Sequence, residues 1–230
     1  KGSVYRDPET GKDISLGNSW KADVIIDKSY PENQNLENYR DFALYFQDED
    51  NILGTSFMPY LQNVAGLTGV NYRLEPWTYR EDEGCELGNM FTACVAADQE
   101  PATPILKAHA GDRVMVNIFG AHNEQNQMFN MDGHQWRRHL NQKGSDMIDV
   151  QQFGAGEYIQ AFVNAGGTYS NPGTYLWLNA RTPYQQAGQW GYFKVLPAGE
   201  RSILPLGGAA PKAGKTAAKG VGDDVLSMNR

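Results

Sequence analysis

The sequence predicts an all-β protein, a sandwich or a barrel, and three observations carry this prediction. Hydrophobic residues make up 40% of the 230 residues and aromatic residues 11%, which is enough for one sizeable packed core. Glycine (25) and proline (11) are frequent, and long segments with helical periodicity are scarce. Several short segments alternate apolar with polar residues, as half-buried strands do.

The N-terminal part of the chain gives few strand signals. Residues 1–38 are polar and interrupted by Gly, Pro and Asn, so we expect an irregular arm or the tail of a preceding domain. The first strand is expected in YRDFALYFQDED (39–50), where Phe42, Leu44 and Phe46 alternate with smaller or polar residues. GVNYRLEPWTYR (69–80) combines an extended run with a proline break, and CELGNMFTACVAA is compatible with one short helix.

Strand signals become stronger in the second half of the chain. In TPILKAHAGDRVMVNIFGA a Gly-Asp turn separates two apolar runs, and Val114, Val116 and Ile118 alternate with polar or flexible residues. Further strands are expected in QMFNMDGHQW, GEYIQAFVN, GTYLWLN and QWGYFKVLP. The predicted domain therefore covers 39–197. The Gly-, Ala- and Lys-rich segment 198–230 is expected to be flexible unless it wraps around a partner.

Charge and hydropathy exclude two classes of partner. The formal net charge is -7, so we expect no nucleic-acid binding, which needs a basic face. No run of 18 apolar residues exists, so we expect no membrane span. The chain starts at Lys1 with neither an initiator Met nor a signal peptide, and we therefore expect a processed or trimmed product.

The two cysteines, Cys85 and Cys94, lie close together in GCELGNMFTAC. A disulfide between them would close a short loop and stabilise the fold by roughly 2–3 kcal/mol. The alternative is a pair of reduced thiols in a cytosolic protein. A zinc site is not expected, because no second pair of ligands lies nearby in the sequence.

The remaining polar and aromatic candidates have a structural and a functional interpretation. His134 and His139 are expected to bond to loop carbonyls, the alternative being a residual metal or proton-transfer site, and His109 and His122 are expected at surface or loop positions. A hard cation such as calcium or manganese would suit carboxylates and imidazole, but their spacing matches no loop motif; the candidates are His122, Glu124, Asp132 and Asp146. The tryptophans are expected in the core, the alternative being a sugar-binding face formed by Trp77, Trp136, Trp177 and Trp190.

Four segments, in order, resemble a cupredoxin domain of large bacterial multicopper oxidases, the group that includes manganese-oxidising enzymes. ATPILKAHAGDRVMVNIFGA resembles the strand, Gly-Asp turn and strand that open the ligand-bearing half of such a domain. EQNQMFNMDGHQW resembles the HPFHLHGHxF segment, and QFGAGEYIQAFVNAGG resembles the strand before the last hairpin. GTYLWLNARTPYQQAGQWGYFKVLP is similar to the final strand, loop and strand that carry the HCH motif. Upstream, YRDFALYFQDED and GVNYRLEPW resemble the start of such domains. The resemblance therefore covers roughly 39–198 and implies a Greek-key β-sandwich of cupredoxin type.

The resemblance also assigns the family's copper-ligand positions in this sequence, and each carries a different residue. The type 1 copper positions fall on Gln127, Asn179, Tyr184 and Gln189. The paired histidines of the HLH and HCH motifs fall on Asn130, Asp132, Leu178 and Ala180. A type 1 site needs a thiolate and two imidazoles. The chain has four histidines and no His-x-His pair. The resemblance therefore implies a cupredoxin domain without a copper cofactor of its own.

The function implied is that of a copper-free domain or subunit of a secreted multicopper oxidase, periplasmic or extracellular. Such an oxidase would couple oxidation of a metal ion or small reductant to reduction of oxygen, with copper held by a partner chain or domain. The expected partners are other cupredoxin domains or chains of the same oxidase. The alternatives are a non-enzymatic structural subunit with the same sandwich, and a carbohydrate-binding sandwich that uses the tryptophans.

Overall fold

The computed structural model describes residues 2–15, 17–49, 67–92, 100–123 and 125–207. Within these ranges strands predominate. They are β1 (Ser3–Arg6), β2 (Lys21–Ile26), β3 (Tyr39–Glu49), β4 (Leu67–Val70), β5 (Leu106–His109), β6 (Arg113–Asn123), β7 (Gln127–Met131), β8 (Trp136–Arg137), β9 (Met147–Ile148), β10 (Val150–Phe153), β11 (Tyr158–Asn164), β12 (Gly173–Asn179) and β13 (Trp190–Leu196). The two α-helices are short: α1 (Trp77–Asp82) and α2 (Thr182–Gln186).

The strands form two main sheets that face each other. The first sheet has the order β1-β2-β3-β6-β11, with β4 paired to β3, and its β3–β6 pair is parallel. The second sheet has the order β10-β7-β12-β13-β5, and its β13–β5 pair is parallel. The chain passes from β5 in the second sheet to β6 in the first and back to β7, so consecutive strands alternate between layers. The predicted all-β Greek-key sandwich is confirmed.

The core lies between the sheets and follows the alternation of each strand. On β3 the buried side chains are Phe42, Leu44 and Phe46, and on β6 they are Val114, Val116 and Ile118. The second sheet contributes large aromatic side chains, with Phe46 of the first sheet packed edge-on against Phe129, Phe153 and Trp177 at centroid distances of 6.2, 5.3 and 6.1 Å. Edge-to-face packing of this kind adds to the stabilisation from apolar burial.

The outer face of the second sheet is covered by the segment that contains α1. Leu178, Trp190 and Tyr192 point away from the core and pack against Trp77 and Phe91. The helix begins directly after Pro76, whose extended backbone supplies the N-cap position. A 3-10 turn over Leu87–Asn89 follows, within the segment where the sequence suggested one short helix.

The prediction of an irregular arm over 1–38 is wrong for part of that segment. β1 and β2 are antiparallel partners, and β2 pairs with β3, so both strands belong to the first sheet. The sequence KADVII (21–26) hid β2 because Ala22, Asp23 and Val24 are all buried, which removes the alternation. A buried aspartate in a strand is unexpected without a partner, and the partner is Arg40, whose Nη1 donates to Asp23 Oδ1 at 2.7 Å.

The described part of the C-terminal segment is also ordered. Residues 198–207 return to the first sheet, where Leu204 N donates to Pro8 O at 2.7 Å and Arg40 Nη2 donates to Leu204 O at 2.7 Å. Ile203 is 2% exposed. The prediction of a flexible segment from 198 is therefore wrong for 198–207, while 208–230 lie outside the described residues. No helix in the described ranges is long and apolar enough to span a bilayer.

Candidate functional site

Polar side chains fill one end of the core between the two sheets. We call this group the polar cluster; it consists of Gln47, Asp48, Thr68, Gln127, Asn179, Tyr184 and Gln189. None of its residues is more than 5% exposed. Buried polar groups on this scale require internal hydrogen-bond partners, because leaving one unmade costs about 1–3 kcal/mol.

The last strand-loop-strand of the chain brings three of these residues together. Asn179 ends β12, helix α2 follows at once, and β13 begins at Trp190. The loop closes on itself, since Asn179 N donates to Gln189 O and Gln189 N donates to Tyr184 O, both at 2.9 Å. Gly188 allows this closure because its backbone φ is +112°, a conformation that residues other than glycine rarely adopt.

Asn179 is the centre of the hydrogen-bond network. Its Nδ2 donates to Gln127 Oε1 and, at 2.6 Å, to Gln189 Oε1. Its Oδ1 accepts from the backbone N–H groups of Met128 at 3.3 Å and Arg181 at 3.0 Å. An amide has two donors and one oxygen with two acceptor positions, so Asn179 uses its full capacity.

The two glutamines connect this centre to the opposite sheet. Gln127 Nε2 donates to Asp48 Oδ2 at 3.1 Å. Gln189 Nε2 donates to Gln47 O at 2.9 Å and to Thr68 Oγ1 at 2.6 Å. β7 and the β12–β13 loop are thereby tied to β3 and β4, and the cluster links both layers of the sandwich.

Asp48 is the one acidic side chain of the cluster. Its Oδ2 accepts from Tyr184 OH at 2.7 Å and from Gln125 N at 3.2 Å, in addition to Gln127. Burial raises the pKa of Asp48 above its ordinary value, and these donors oppose the rise by stabilising the carboxylate. Burial also raises the pKa of Tyr184, and the hydrogen bond to Asp48 adds to this effect. The phenol of Tyr184 therefore keeps its proton and donates a hydrogen bond to the carboxyl group of Asp48.

The structure brings together four of the eight positions that the resemblance assigned. Gln127, Asn179, Tyr184 and Gln189, the four type 1 copper positions, all belong to the polar cluster. That they are former ligand positions stays a prediction, since no bound metal or aligned relative tests it.

The other four positions do not join the polar cluster. Asn130 and Leu178 are register partners on β7 and β12, on the face that points away from the core. Asn130 Nδ2 donates to Asp149 O at 3.0 Å, whereas Leu178 packs in the apolar group with Trp190. Asp132 and Ala180 are exposed just beyond the ends of the two strands.

The residues of the polar cluster do not fit a type 1 copper ion. Its side chains offer amide, hydroxyl, phenol and carboxylate groups, and none offers the thiolate and imidazoles that such a site needs. The amide, phenol and carboxylate groups are already engaged with one another. Within the described ranges, no group of three or more His, Cys, Asp and Glu residues could hold a metal ion.

His109 and His134 are buried, and their rings form hydrogen bonds with the backbone. His134 is confirmed as bonded to a loop carbonyl, with Nδ1 2.7 Å from Asp132 O, and its Nε2 accepts from Gly166 N at 3.0 Å. The prediction of a surface or loop position for His109 is wrong, because His109 is the last residue of β5 and is 8% exposed, with its Nε2 2.9 Å from Glu200 O. The candidate cation ligands cannot be compared as a set, since Glu124 and the side chain of His122 lie outside the described residues.

The tryptophans and cysteines have different outcomes. Trp136 and Trp177 are each 0% exposed and lie in the core between the sheets, which confirms the core interpretation for both. Trp190 is also 0% exposed but packs on the outer face of the second sheet with Leu178 and Tyr192, so these three tryptophans do not form a sugar-binding face. Cys85 is 6% exposed, and the described ranges contain no free cysteine. Cys94 lies outside the described residues, so its pairing with Cys85 stays a prediction.

The sequence interpretation missed the part of the cluster that comes from the N-terminal half. Gln47 and Asp48 lie in the segment predicted as the first strand, where no function is assigned to them, and Thr68 lies in no motif. The signal was the position of Asp48 itself. It follows the apolar residues Phe42, Leu44 and Phe46 at period two, which places its side chain on the core face of β3.

Comparison with solved structures finds copper proteins of the cupredoxin class at low sequence identity. The copper nitrite reductase of Nitrosomonas europaea is 13% identical with a TM-score of 0.49, over 85% of this chain and 75% of that chain. The Campylobacter jejuni multicopper oxidase, described as a metallo-oxidase, is 13% identical with a TM-score of 0.43, over 66% of this chain and 29% of that chain. The multicopper oxidase mgLAC is 14% identical with a TM-score of 0.42, over 69% and 44%.

The chain spans less than half the length of the multicopper oxidases it is similar to. No protein-family model matches the sequence, and no curated protein matches it.

Proposed function

We propose that this chain is a copper-free cupredoxin domain or subunit of a secreted multicopper oxidase, with its copper centres in a partner chain or domain. Within that assembly it would shape the particle and form interfaces with other cupredoxin units. The assembly would act in the periplasm or outside the cell, where the disulfide predicted between Cys85 and Cys94 is stable. Its reaction would be oxidation of a metal ion or small reductant coupled to reduction of oxygen.

The polar cluster is the observation that supports this proposal. The resemblance predicted from sequence alone that Gln127, Asn179, Tyr184 and Gln189 would meet, and they do meet in one buried network. The network satisfies its own hydrogen bonds and ties β7 and the β12–β13 loop to β3 and β4, which is what a domain that has lost its copper ligands would need in order to hold its two sheets together. A domain of this kind contributes architecture and leaves the redox chemistry to a copper-bearing neighbour.

The test is mass spectrometry of the native particle combined with metal analysis of each chain. We expect this chain to co-purify with, or to be covalently continuous with, a cupredoxin unit that carries His-x-His and His-Cys-His motifs and bound copper. A particle built from this chain alone, with no redox metal, would contradict the proposal and support a non-enzymatic structural subunit. Copper bound stoichiometrically to this chain itself would contradict it as well.

A further inference from the structure

A groove crosses the outer face of the first sheet, on the side away from the core. Its floor includes Tyr39, Met115 and Phe162 on β3, β6 and β11, and its volume is about 840 Å³. One wall is the segment just before β3 and the other is the β8–β9 segment. Residues on these walls include Asn35, Leu36, Glu37, Arg137, Leu140 and Asn141. The groove is separate from the polar cluster, which lies inside the sandwich.

Hydrogen bonds hold both walls in place. Lys28 Nζ donates to the carbonyl oxygens of Asn33 at 3.2 Å and Gln34 at 3.0 Å, and also to that of Leu36. In the opposite wall, His139 N donates to Ser145 Oγ at 2.9 Å. Because the walls are fixed by their own contacts, a ligand would enter a largely pre-formed groove and would order few side chains on binding.

The side chains of the groove combine amides with aromatic rings. The exposed amides are those of Asn35, Gln135, Asn141 and Asn164. An amide presents both a donor and an acceptor, as a hydroxyl group does, so amides suit a ligand rich in hydroxyl groups. Tyr39 and Phe162 stand edge to face with centroids 6.0 Å apart, and they give the floor an apolar surface for the C–H side of a sugar ring.

Arg113 gives the groove its charge preference. Its guanidinium lies 4.4 Å from the Phe162 ring centroid, and Nη1 donates to Asn164 Oδ1 at 3.0 Å. Its Nε lies 3.8 Å from Glu37 Oε2 and makes no hydrogen bond to a described residue. The Arg113 side chain is 40% exposed and the Glu37 side chain 73%, so an incoming carboxylate could take the place of Glu37. Arg137 is the second cation of the groove.

The local charge differs in sign from that of the whole chain. The charged side chains that line the groove are Glu37, Arg113 and Arg137, which gives one net positive charge. The chain as a whole carries -7. A groove with a positive excess on an acidic protein complements an anionic ligand, and an arginine fork matches a carboxylate in geometry as well as in charge.

Two other classes of ligand fit less well. Nucleic acid carries a phosphate at every nucleotide and needs a broad basic face, whereas the groove offers, among the described residues, only Arg113 and Arg137. An extended peptide binds most readily by pairing with a free strand edge. The floor strands β3 and β6 each have a neighbour on both sides, the edge strand β11 packs against β8, and the other edge strand, β1, contributes only Ser3 to the groove.

We propose that this groove binds an acidic oligosaccharide with carboxylated sugar units, and that Arg113 pairs with a sugar carboxylate. The amides bind hydroxyl groups and the aromatic floor contacts the ring faces. The site depends on this chain's own residues and not on the copper-free role proposed above, so either proposal can fail without the other.

The test is calorimetric titration of the full chain with uronate oligosaccharides, using tetragalacturonate, its methyl ester and an oligomannuronate as probes. We expect binding of at least one acidic probe, and binding of the neutral ester to be at least about tenfold weaker. Arg113→Gln should weaken binding of the acid about tenfold or more and leave the ester unchanged. Glu37→Gln should strengthen binding of the acid, because it removes a competing carboxylate.

Arg201→Gln is the matched control, since it removes one exposed positive charge away from the groove and should not change binding. Circular dichroism and thermal unfolding verify that each variant is folded. The proposal is overturned if no uronate probe binds at millimolar concentration, if the ester binds as well as the acid, or if Arg113→Gln leaves affinity unchanged. Equal binding of hexaglutamate would also overturn it, because the groove would then recognise charge without recognising sugar.

Discussion

Asn179 stabilises the sandwich through four hydrogen bonds made inside the core. In two of them the amide nitrogen donates to the side chains of Gln127 and Gln189. In the other two the amide oxygen accepts from the backbone N–H groups of Met128 and Arg181. The structural importance of this position therefore comes from its partners, which would be left buried and unpaired in its absence.

We predict that Asn179→Ala lowers the free energy of unfolding by roughly 2–4 kcal/mol, since it leaves at least two buried polar groups without partners. Urea unfolding followed by tryptophan fluorescence measures the change. Asn130→Ala is the matched control, because Asn130 is only partly buried and its side chain makes one hydrogen bond, to Asp149 O. An equal loss of stability in both variants would contradict the role assigned to Asn179.

Asp41 predicts a pH dependence of stability. Burial on the outer face of β3 raises its pKa from 3.8 to about 6, and a hydrogen bond from Asn117 opposes the rise only in part. Folding thus favours the protonated carboxyl. The resulting stabilisation is fully present below the unfolded pKa near 3.8 and is lost as pH rises through about 6.

We therefore expect Asp41→Asn to remove part of the pH dependence of stability between about pH 4 and pH 6. The difference between wild type and variant should change by on the order of 1–2 kcal/mol across that window, with the wild type losing stability as pH rises. Denaturant titrations at several pH values measure it. Asp146→Asn is the control, because Asp146 is exposed, and this variant should show the same dependence of stability on pH as the wild type. The role assigned to Asp41 is contradicted if the stability of the wild type rises with pH through this window relative to that of Asp41→Asn.

At the level of elements, the sequence predicted strands where alternation was regular. β6 and β11 were found from their period-two pattern, because alternate residues of each strand face the core. β1 and β2 were not found. β1 is only four residues long, and β2 is buried on both faces, so neither presents the pattern on which the prediction depends.

β2 contributes more than a hydrogen-bonded neighbour for β3, since it supplies Asp23 to the buried Arg40. Arg40 is 0% exposed, and its Nη1 and Nε donate to Asp23 Oδ1 at 2.7 Å and Asp112 Oδ2 at 2.6 Å. Removing one partner of a buried ion pair leaves a charge that is poorly compensated.

We predict that Asp23→Ala destabilises the protein by roughly 3 kcal/mol, whereas Asp13→Ala changes stability by less than about 1 kcal/mol. Asp13 is the suitable control because it also pairs with an arginine, Arg6, but its side chain is 72% exposed. Thermal unfolding of both variants gives the comparison. If residues 1–38 were an arm that packs only loosely on the sandwich, Asp23→Ala would lower stability no more than Asp13→Ala. That outcome would support the prediction of an irregular arm over 1–38.

For the whole molecule, the candidate site was predictable only in part. The resemblance placed Gln127, Asn179, Tyr184 and Gln189 together because all four lie in segments that match motifs. It could not supply Asp48 or Thr68, which reach the cluster from strands far away in the sequence; Thr68 and Gln189 are 121 residues apart. Contacts of that range depend on how the two sheets pack, and a motif read along one segment contains no information about the opposite layer.

The packing of the two sheets predicts that these four positions can bind copper once their side chains are replaced by copper ligands. We expect a variant with Gln127→His, Asn179→Cys, Tyr184→His and Gln189→Met to bind Cu(II) and to show the intense visible absorption of a copper–thiolate bond, because these residues supply two imidazoles, a thiolate and a weak axial thioether. Absorption and electron paramagnetic resonance spectra measure this. The matched control carries the other three changes and retains Asn179, and it should lack the thiolate band. A folded four-residue variant that binds no copper, or binds it without that band, would show that the four positions meet without the spacing of a type 1 site.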